Sequence, residues 1–301
     1  ISKNVLFYTE MIVSEAIDRG DKKKLLSFNI KEKPVALQLG GSSPKLLSNA
    51  SRIGEEFGYD EINLNLGCPS KKVQKNKFGA CLIKQPYLVA DCLSEMQAKT
   101  KLPVTVKTRI GYDNVEDYES LFNFINLLKS TGVKTFIIHA RKAMLGKFTP
   151  KQNLNIPPLK YEMVYKLKKD FENLEIIING GITSTDQIKT HLEKVDGVMI
   201  GRSVYHSPYI LADIEKKIFD NENFPSRQVV VEKLIEYLKK EVKKGTRINQ
   251  IMRHTLGLFH GQTGSNFWKR YLSENMCVRN ADIQKVEHIM DKVKLNHVAH
   301  L

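Results

Sequence analysis

Short apolar runs alternate along the chain with stretches of helical periodicity. The apolar runs are typical of β-strands and cover residues 4–11, 35–41, 61–68, 104–110, 135–141, 176–181 and 197–201. The intervening stretches predict helices over 44–57, 86–99, 116–130, 158–171 and 184–193. Strands and helices that alternate at this spacing build parallel sheets from βαβ units. The pattern therefore predicts an α/β fold.

Polar residues collect at the C-terminal ends of many of these strands. A TIM barrel builds its active site from those strand ends, so the pattern favours a (β/α)₈ barrel over a doubly wound sheet. The sequence shows seven strand-like runs, one fewer than such a barrel has. Because the chain opens almost directly on a strand-like run, we expect the first strand to be missing from this chain.

The alternation stops after residue 201, and an amphipathic helix is predicted over 226–242. Apolar residues recur there at helical spacing, with lysine and glutamate between them. They are Val230, Leu234, Leu238 and Val242. Asn221 and Pro225 bound the predicted linker. We therefore predict a catalytic barrel domain over residues 1–224 and a helical domain over 225–301.

Net charge suggests a partner. The chain has 47 lysine and arginine residues against 33 acidic ones and a net charge of +14, which would attract a polyanion such as nucleic acid. A lysine-rich composition can also reflect biased codon usage. Cations interleave with aromatic residues over 247–279, up to Arg279, a pattern that suits RNA contact and base stacking but also an ordinary solvated face.

The cysteine spacing and the hydropathy limit which cellular compartments fit this chain. Cys68, Cys81, Cys92 and Cys277 lack CxxC spacing, which argues against a zinc site and fits a reducing environment in which disulfides are not expected. Every apolar run is shorter than the roughly 18 residues that a membrane span requires. We expect a cytoplasmic monomer without a membrane partner or a metal.

Polar residues share one face of several strands, because side chains two positions apart point the same way. These residues are Gln38, Asn63, Asn65, Lys107, Arg109, His139 and Arg141. A lone polar residue in a strand is usually an edge feature, but cations in apolar strands are rarely buried without a partner. Together they predict a binding site for an anionic, hydrogen-bonding ligand.

Glycines follow the last two strand-like runs, in Asn179-Gly180-Gly181 and Gly201-Arg202. Counting the missing strand as the first, these are strands seven and eight, whose loops often hold a phosphate group in barrels. A Gly-Gly pair alone is more often a turn. Two such loops at these positions favour a phosphate-bearing cofactor.

Cys68 lies in the Gly67-Cys68-Pro69-Ser70 segment after a strand. A cysteine there can be an acid, a nucleophile or a small apolar filler, and an isolated cysteine is usually a filler. Its place just past Asn63 and Asn65 favours a chemical role.

Ten segments resemble those of a known family. They are YTEM (8–11), VALQLGG (35–41), EINLNLGCPS (61–70), FGACL (78–82), VTVKTRIG (104–111), FIIHARKA (136–143), NIPPL (155–159), INGGI (178–182), DGVMIGR (196–202) and RYLSEN (270–275). The chain thereby resembles the tRNA-dihydrouridine synthases, in particular the bacterial A-type subfamily, over residues 1 to about 282. The family's first strand, with its Ala-Pro-Met motif, and the helix after it have no counterpart here.

The resemblance implies an FMN-containing (β/α)₈ barrel with a C-terminal helical domain. Such an enzyme reduces uridine to 5,6-dihydrouridine at positions 20 and 20a of the tRNA D-loop, with NADPH as reductant. Cys68 would then be the general acid that protonates C5, since a thiol is mostly protonated at neutral pH yet can release its proton. Asn65 would bind the uracil edge.

The resemblance also implies roles for three sets of residues. The flavin ring and ribityl chain would contact Gln38, Lys107 and His139. The flavin phosphate would bind to Asn179, Gly180, Gly181, Gly201 and Arg202. The tRNA would face Arg141, Lys142, Lys151, Lys269 and Arg270.

Two other functions stay open on the sequence. A small-molecule dihydropyrimidine or dihydroorotate oxidoreductase would use a similar barrel without needing a basic helical domain. A non-catalytic RNA-binding remnant would keep the basic surface but lack the cofactor.

Overall fold

A computed structural model describes residues 1–146, 148–276, 278, 282 and 285. The chain forms two compact units. The sheet unit comprises Val5–Ile182 and Asp186–Met199, and the helical unit comprises Ile1–Asn4, Thr183–Thr185 and Ile200–Leu301. These units are defined by contacts within the chain, and the functional division predicted at residue 225 stays a prediction.

The sheet unit is built on parallel strands. They are β1 (Phe7–Tyr8), β2 (Ile12–Val13), β3 (Val35–Gly40), β4 (Glu61–Asn65), β5 (Val104–Arg109), β6 (Thr135–His139), β7 (Glu175–Asn179) and β8 (Gly197–Met199). Their order is β1-β3-β4-β5-β6-β7-β8, with β2 also pairing β3. The parallel sheet curls and is surrounded by helices, which confirms the predicted α/β barrel class.

The first predicted strand is interrupted. Instead of one run over 4–11, β1 and β2 pair with different parts of β3. Between them, the Thr9 side-chain oxygen accepts the backbone N–H of Gln38 at 3.0 Å. A hydroxyl therefore takes the place of a backbone acceptor where the strand breaks.

Helices connect the strands, and five of them, α3, α5, α6, α8 and α9, lie close to the predicted ranges, whereas α1, α2, α4 and α7 were not predicted. They are α1 (Ser14–Arg19), α2 (Lys22–Leu26), α3 (Pro44–Glu56), α4 (Lys71–Lys75), α5 (Pro86–Gln97), α6 (Tyr118–Lys129), α7 (Pro150–Asn153), α8 (Tyr161–Asp170) and α9 (Thr185–Leu192), with 3₁₀ turns at Ile30–Glu32 and Gly79–Lys84. Capping side chains fix several starts. Ser43 accepts the N–H of Leu46 at the start of α3, and Asp117 accepts that of Ser120 at the start of α6.

The faces of the strands are set by packing under α3. A Cβ at Gly54 would lie 2.7 Å from both Ile62 and Leu37, so these apolar side chains press directly against that helix. Because strand side chains alternate, Gln38 and Asn63 project from the opposite face, into the barrel. The apolar shell thus lies under the helices, and the polar residues lie inside.

The helical unit has its own core. Its helices are α10 (Arg202–His206), α11 (Ile210–Ile218), α12 (Arg227–Lys243), α13 (Ile248–Met252) and α14 (Ser265–Tyr271), followed by a π-helical turn at Leu272–Met276. The predicted amphipathic helix is α12. Its most buried residues are Val231, Ile235 and Leu238, while Val230, Leu234 and Val242 are partly buried against the same core. The prediction was therefore right for Leu238, and in the preceding turns the most buried position lies one residue after the predicted one.

Trp268 is the largest side chain in that core. It is 1% exposed, packs against Phe259 and donates its indole N–H to the carbonyl of Thr255 at 3.1 Å. None of the helices in the described part of the chain is both long and apolar enough to cross a membrane.

Candidate active site

Strand register brings the predicted residues into adjacent positions. Gln38 on β3 lies opposite Asn63 on β4, and Asn65 lies opposite Lys107 on β5. His139 at the end of β6 pairs in turn with Arg109 and with Asn179. Residues far apart in sequence therefore share the C-terminal edge of one sheet, which is where a barrel builds its active site.

The loop that carries Cys68 is fixed through its backbone. The side-chain oxygen of Asn65 accepts the N–H groups of Gly67 at 3.1 Å and Cys68 at 3.0 Å. The carbonyl of Cys68 accepts the N–H of Ala80 at 3.0 Å. Asn65, predicted to bind the uracil edge, therefore also positions the loop. Cys68 itself is partly exposed.

Arg109 joins the loops around the site. Its Nε donates to the carbonyl of Gly67 at 2.8 Å, and its Nη1 donates to the carbonyls of Lys142 at 3.1 Å and Asn153 at 3.2 Å. The residue is only 4% exposed. One buried guanidinium thus satisfies acceptors from the loops after β4 and β6 and from α7.

Burial perturbs both cations of β5. Burial, followed by the charge of Arg109, lowers the pKa of Lys107 to about 8, and the nearby Cys68 opposes this. Burial also lowers the pKa of Arg109 to about 10, opposed by Cys68 and assisted by Arg141. Lys107 is held by the side-chain oxygen of Asn179, 3.1 Å from its Nζ. Among the described residues, no carboxylate forms an ion pair with Lys107 or Arg109.

His139 is a buried neutral imidazole. Burial, with the charges of Arg109, Lys107 and Arg141, lowers its pKa to about 2. Its Nδ1 is buried without a hydrogen-bond partner among the described residues. Buried polar atoms are normally satisfied, so this nitrogen indicates a place for a ligand atom.

These features fit a flavin mononucleotide. Lys107 and Arg109 repel each other, and an anionic ligand would stabilise both. The unpartnered Nδ1 of His139 can form a hydrogen bond to a heteroatom of a ring. Asn179 is followed by Gly180 and Gly181, whose φ angles of 120° and 72° suit glycine. The sheet edge therefore combines buried cations, an unpartnered imidazole nitrogen and a Gly-Gly turn, which are the features that the resemblance assigns to the flavin site.

The predicted tRNA-facing residues of the sheet unit differ in their surroundings. Arg141 lies beyond the end of β6, and its Nη1 donates to the carbonyl of Pro157. Lys142 pairs with Glu116 at 3.0 Å. Lys151 is exposed on α7. β6 ends at residue 139, so strand alternation does not extend to Arg141, but the charge of Arg141 still acts on His139.

The remaining predicted residues lie in the helical unit. Gly201 and Arg202 are exposed at the start of α10, and their predicted phosphate contact stays a prediction. On α14, Lys269 is half-buried and Arg270 is exposed. Cys277 and Arg279 lie outside the described residues.

The structure adds residues that sequence reasoning passed over. Glu61 and Thr105 are buried inside the barrel, 8% and 1% exposed, and hydrogen-bonded to each other at 2.6 Å. The alternation that singled out Asn63 and Asn65 also contains Glu61, two positions earlier, and could have identified it.

His139 gives an expected pH dependence of stability. In the unfolded chain it binds a proton below its usual pKa of 6.5, whereas in the folded chain it does so only near 2. The unfolded state therefore binds more protons over this range, and stability falls as the pH falls below 6.5.

Between pH 6.5 and pH 4.5, we expect the free energy of unfolding to fall by about 2–3 kcal/mol less in His139→Asn than in wild type. Urea unfolding of the flavin-free protein at both pH values measures this, with the exposed His260→Asn as control. Equal pH dependence in wild type and His139→Asn would contradict the assigned burial.

Comparison with known proteins gives a consistent picture. The sequence profile described as dihydrouridine synthase (Dus) matches residues 1–294. The tRNA-dihydrouridine(20/20a) synthase of Synechocystis sp. is 50% identical over 282 residues, which cover 93% of this chain and 84% of that protein. The enzymes of the same name from Shewanella oneidensis and Escherichia coli are 47% and 48% identical, over 99% and 97% of this chain and 89% and 85% of theirs.

Proposed function

The chain belongs to the dihydrouridine synthase family, and from this membership we propose that it reduces uridine to 5,6-dihydrouridine in tRNA. Its substrate positions are then 20 and 20a of the D-loop, as the names of its relatives state for those proteins. The reductant is NADPH, acting through FMN.

One observation carries this proposal beyond family membership. Cys68 stands on a loop held by Asn65 and Arg109, at the same sheet edge as Lys107 and His139. A weak acid is thus fixed beside a cationic, hydrogen-bonding pocket. This arrangement supports protonation of a substrate carbon next to a flavin.

The flavin is assigned to residues of the sheet unit. Gln38, Lys107 and His139 contact its ring and ribityl chain, and Asn179 to Gly181 hold its phosphate. The bound FMN would supply the hydride that adds to C6 of the uracil. Lys107 and Arg109 would stabilise negative charge on the flavin, because they are preorganised in a site that contains no paired carboxylate among the described residues.

Cys68 completes the reduction. Its Sγ–H bond breaks and a C5–H bond forms on the uracil, so the C5=C6 double bond gains one hydride and one proton in total. The resulting thiolate regains a proton from solvent. Asn65 orients both the uracil edge and the backbone of Cys68.

The tRNA contacts proposed outside the reacting centre are cationic. Lys151 is exposed on α7, and Arg270 is exposed on α14. Exposed cations contact phosphates and bind RNA with little sequence preference. Arg141, Lys142 and Lys269 are proposed to contribute charge beside them.

The direct test is to incubate the purified chain with FMN, NADPH and an unmodified tRNA transcript, then quantify dihydrouridine by nucleoside mass spectrometry. We expect dihydrouridine at positions 20 and 20a, and none in a transcript with cytidine at both. Reduction of free uracil or orotate instead would indicate a small-molecule oxidoreductase. Salt-sensitive tRNA binding by a protein that takes up no flavin would indicate an RNA-binding remnant.

Arg270→Ala separates RNA binding from flavin chemistry. Loss of one phosphate contact should weaken tRNA binding several-fold. It should also lower the slope of log Kd against the logarithm of the salt concentration by about 1. NADPH oxidation by the flavin should stay unchanged. Filter binding at several salt concentrations and stopped-flow absorbance measure the two properties, with the exposed Lys99→Ala on the sheet unit as control. Equal loss of both properties would mean that Arg270 matters for folding.

A further inference from the structure

A chain of hydrogen bonds runs through the barrel interior and ends at the Cys68 loop. Asn65 donates to Gln38 at 2.7 Å, and Gln38 donates to Asn63 at 2.9 Å. Asn63 donates to Thr105 at 2.8 Å, and Thr105 donates to Glu61 at 2.6 Å. We call these five residues the amide chain.

The direction of the amide chain is fixed at both ends. The backbone N–H of Cys68 can only donate, so the oxygen of Asn65 must accept it and its amide nitrogen must face Gln38. At the other end, Oε1 of Glu61 accepts both the Thr105 hydroxyl and the Tyr8 hydroxyl, the latter at 2.8 Å. The two ends impose the same orientation on every amide between them.

We propose that Glu61, acting through Thr105 and Asn63, is a positioning residue that fixes how Gln38 and Asn65 present their amides at the active site. The identity of the ligand in this inference rests on the proposed function. The geometry of the amide chain does not depend on it. A flipped Asn63 would set two N–H groups of neighbouring amides against each other, which is costly in a buried site. Asn63 is fully buried.

The chemical consequence is the polarity of the site. The side-chain amides of Gln38 and Asn65 each donate one N–H within the amide chain, which leaves the second N–H to donate to a ligand. Both therefore present a donor, which suits a ligand with carbonyl oxygens and disfavours one with amino groups at those positions. Burial raises the pKa of Glu61, and the hydrogen bonds from Thr105 and Tyr8 oppose this.

Isosteric substitutions can break the amide chain without emptying the core. Thr105→Val removes the hydroxyl at nearly constant shape, and Glu61→Met removes the acceptor at nearly constant length. Thr105→Ser and Glu61→Gln each keep a group that can accept or donate in the same place. These four variants therefore form two matched pairs.

The first readout is alkylation of Cys68 by iodoacetamide in the flavin-loaded protein, followed by peptide mass spectrometry. Cys81, which is also partly buried, is the internal control. We expect Thr105→Val and Glu61→Met to raise the alkylation rate of Cys68 about fivefold, with Cys81 unchanged, because Asn63 and Gln38 no longer hold the Asn65 amide in the orientation that accepts the Cys68 N–H. Thr105→Ser and Glu61→Gln should stay close to wild type.

The second readout is steady-state NADPH oxidation at varied concentrations of tRNA. We expect kcat to fall about fivefold in the two chain-breaking variants while KM for tRNA stays unchanged. Folded Thr105→Val and Glu61→Met proteins with wild-type alkylation and kcat would overturn the proposal.

The amide-chain proposal can still be tested in two other outcomes. If wild type makes no dihydrouridine, the proposed function fails, and the alkylation rates still test the amide chain. If both chain-breaking variants fail to fold, solvent exchange of the Asn63 side-chain amide in wild type is measured by NMR. Protection relative to an exposed asparagine supports the chain, and unprotected exchange overturns it.

Discussion

Cys68→Ala is expected to lower dihydrouridine formation about 10²-fold or more, the scale for loss of a general acid. The reason is that alanine has no proton to give to C5. The loop should keep its place, because its contacts to Asn65 and Ala80 go through the backbone of residue 68 and not through the thiol. Flavin content and tRNA affinity should therefore stay near wild type.

The measurement is single-turnover reduction of the tRNA transcript, with visible absorption reporting bound flavin. Cys81→Ala is the matched control, because that thiol is also partly buried and its Sγ donates to a backbone carbonyl, that of Phe78. Undiminished turnover in Cys68→Ala would remove Cys68 from its role. Loss of flavin together with turnover would mean that the thiol supports the structure instead.

The second large effect is expected for Arg109→Met. The substitution leaves the carbonyls of Gly67, Lys142 and Asn153 without their shared donor in a buried site. Hydrogen bonds to a charged group contribute about 1.5–3 kcal/mol each, and relief of repulsion with Lys107 offsets part of the loss. We expect the free energy of unfolding to fall by about 3 kcal/mol.

Urea unfolding of the flavin-free protein measures this loss. Arg52→Met is the matched control, since Arg52 is an exposed cation that pairs with Glu56 within α3, and exposed pairs contribute little. Arg109→Lys keeps the charge but not the three-way reach, so it should recover only part of the stability. Wild-type stability in Arg109→Met would show that the three carbonyls find other donors.

Local pattern determined the elements of this fold. The alternation of apolar runs and helical stretches predicted β3 to β8 and the main helices, because period 2 and period 3.6 each follow from the geometry of a single segment. The same alternation placed Asn63 and Asn65 on one face. The resemblance of ten segments to a family then supplied the roles that no periodicity contains.

Only the tertiary structure decided what each polar residue does. Asn65 positions the Cys68 loop, Arg109 binds carbonyls from the loops after β4 and β6 and from α7, and Glu61 ends the amide chain. β6 ends two residues before Arg141, yet the charge of Arg141 acts on His139 and Arg109. Hydrogen-bond partners, burial and the resulting pKa shifts depend on groups that the fold brings together from distant segments, whereas periodicity depends only on neighbours along the chain.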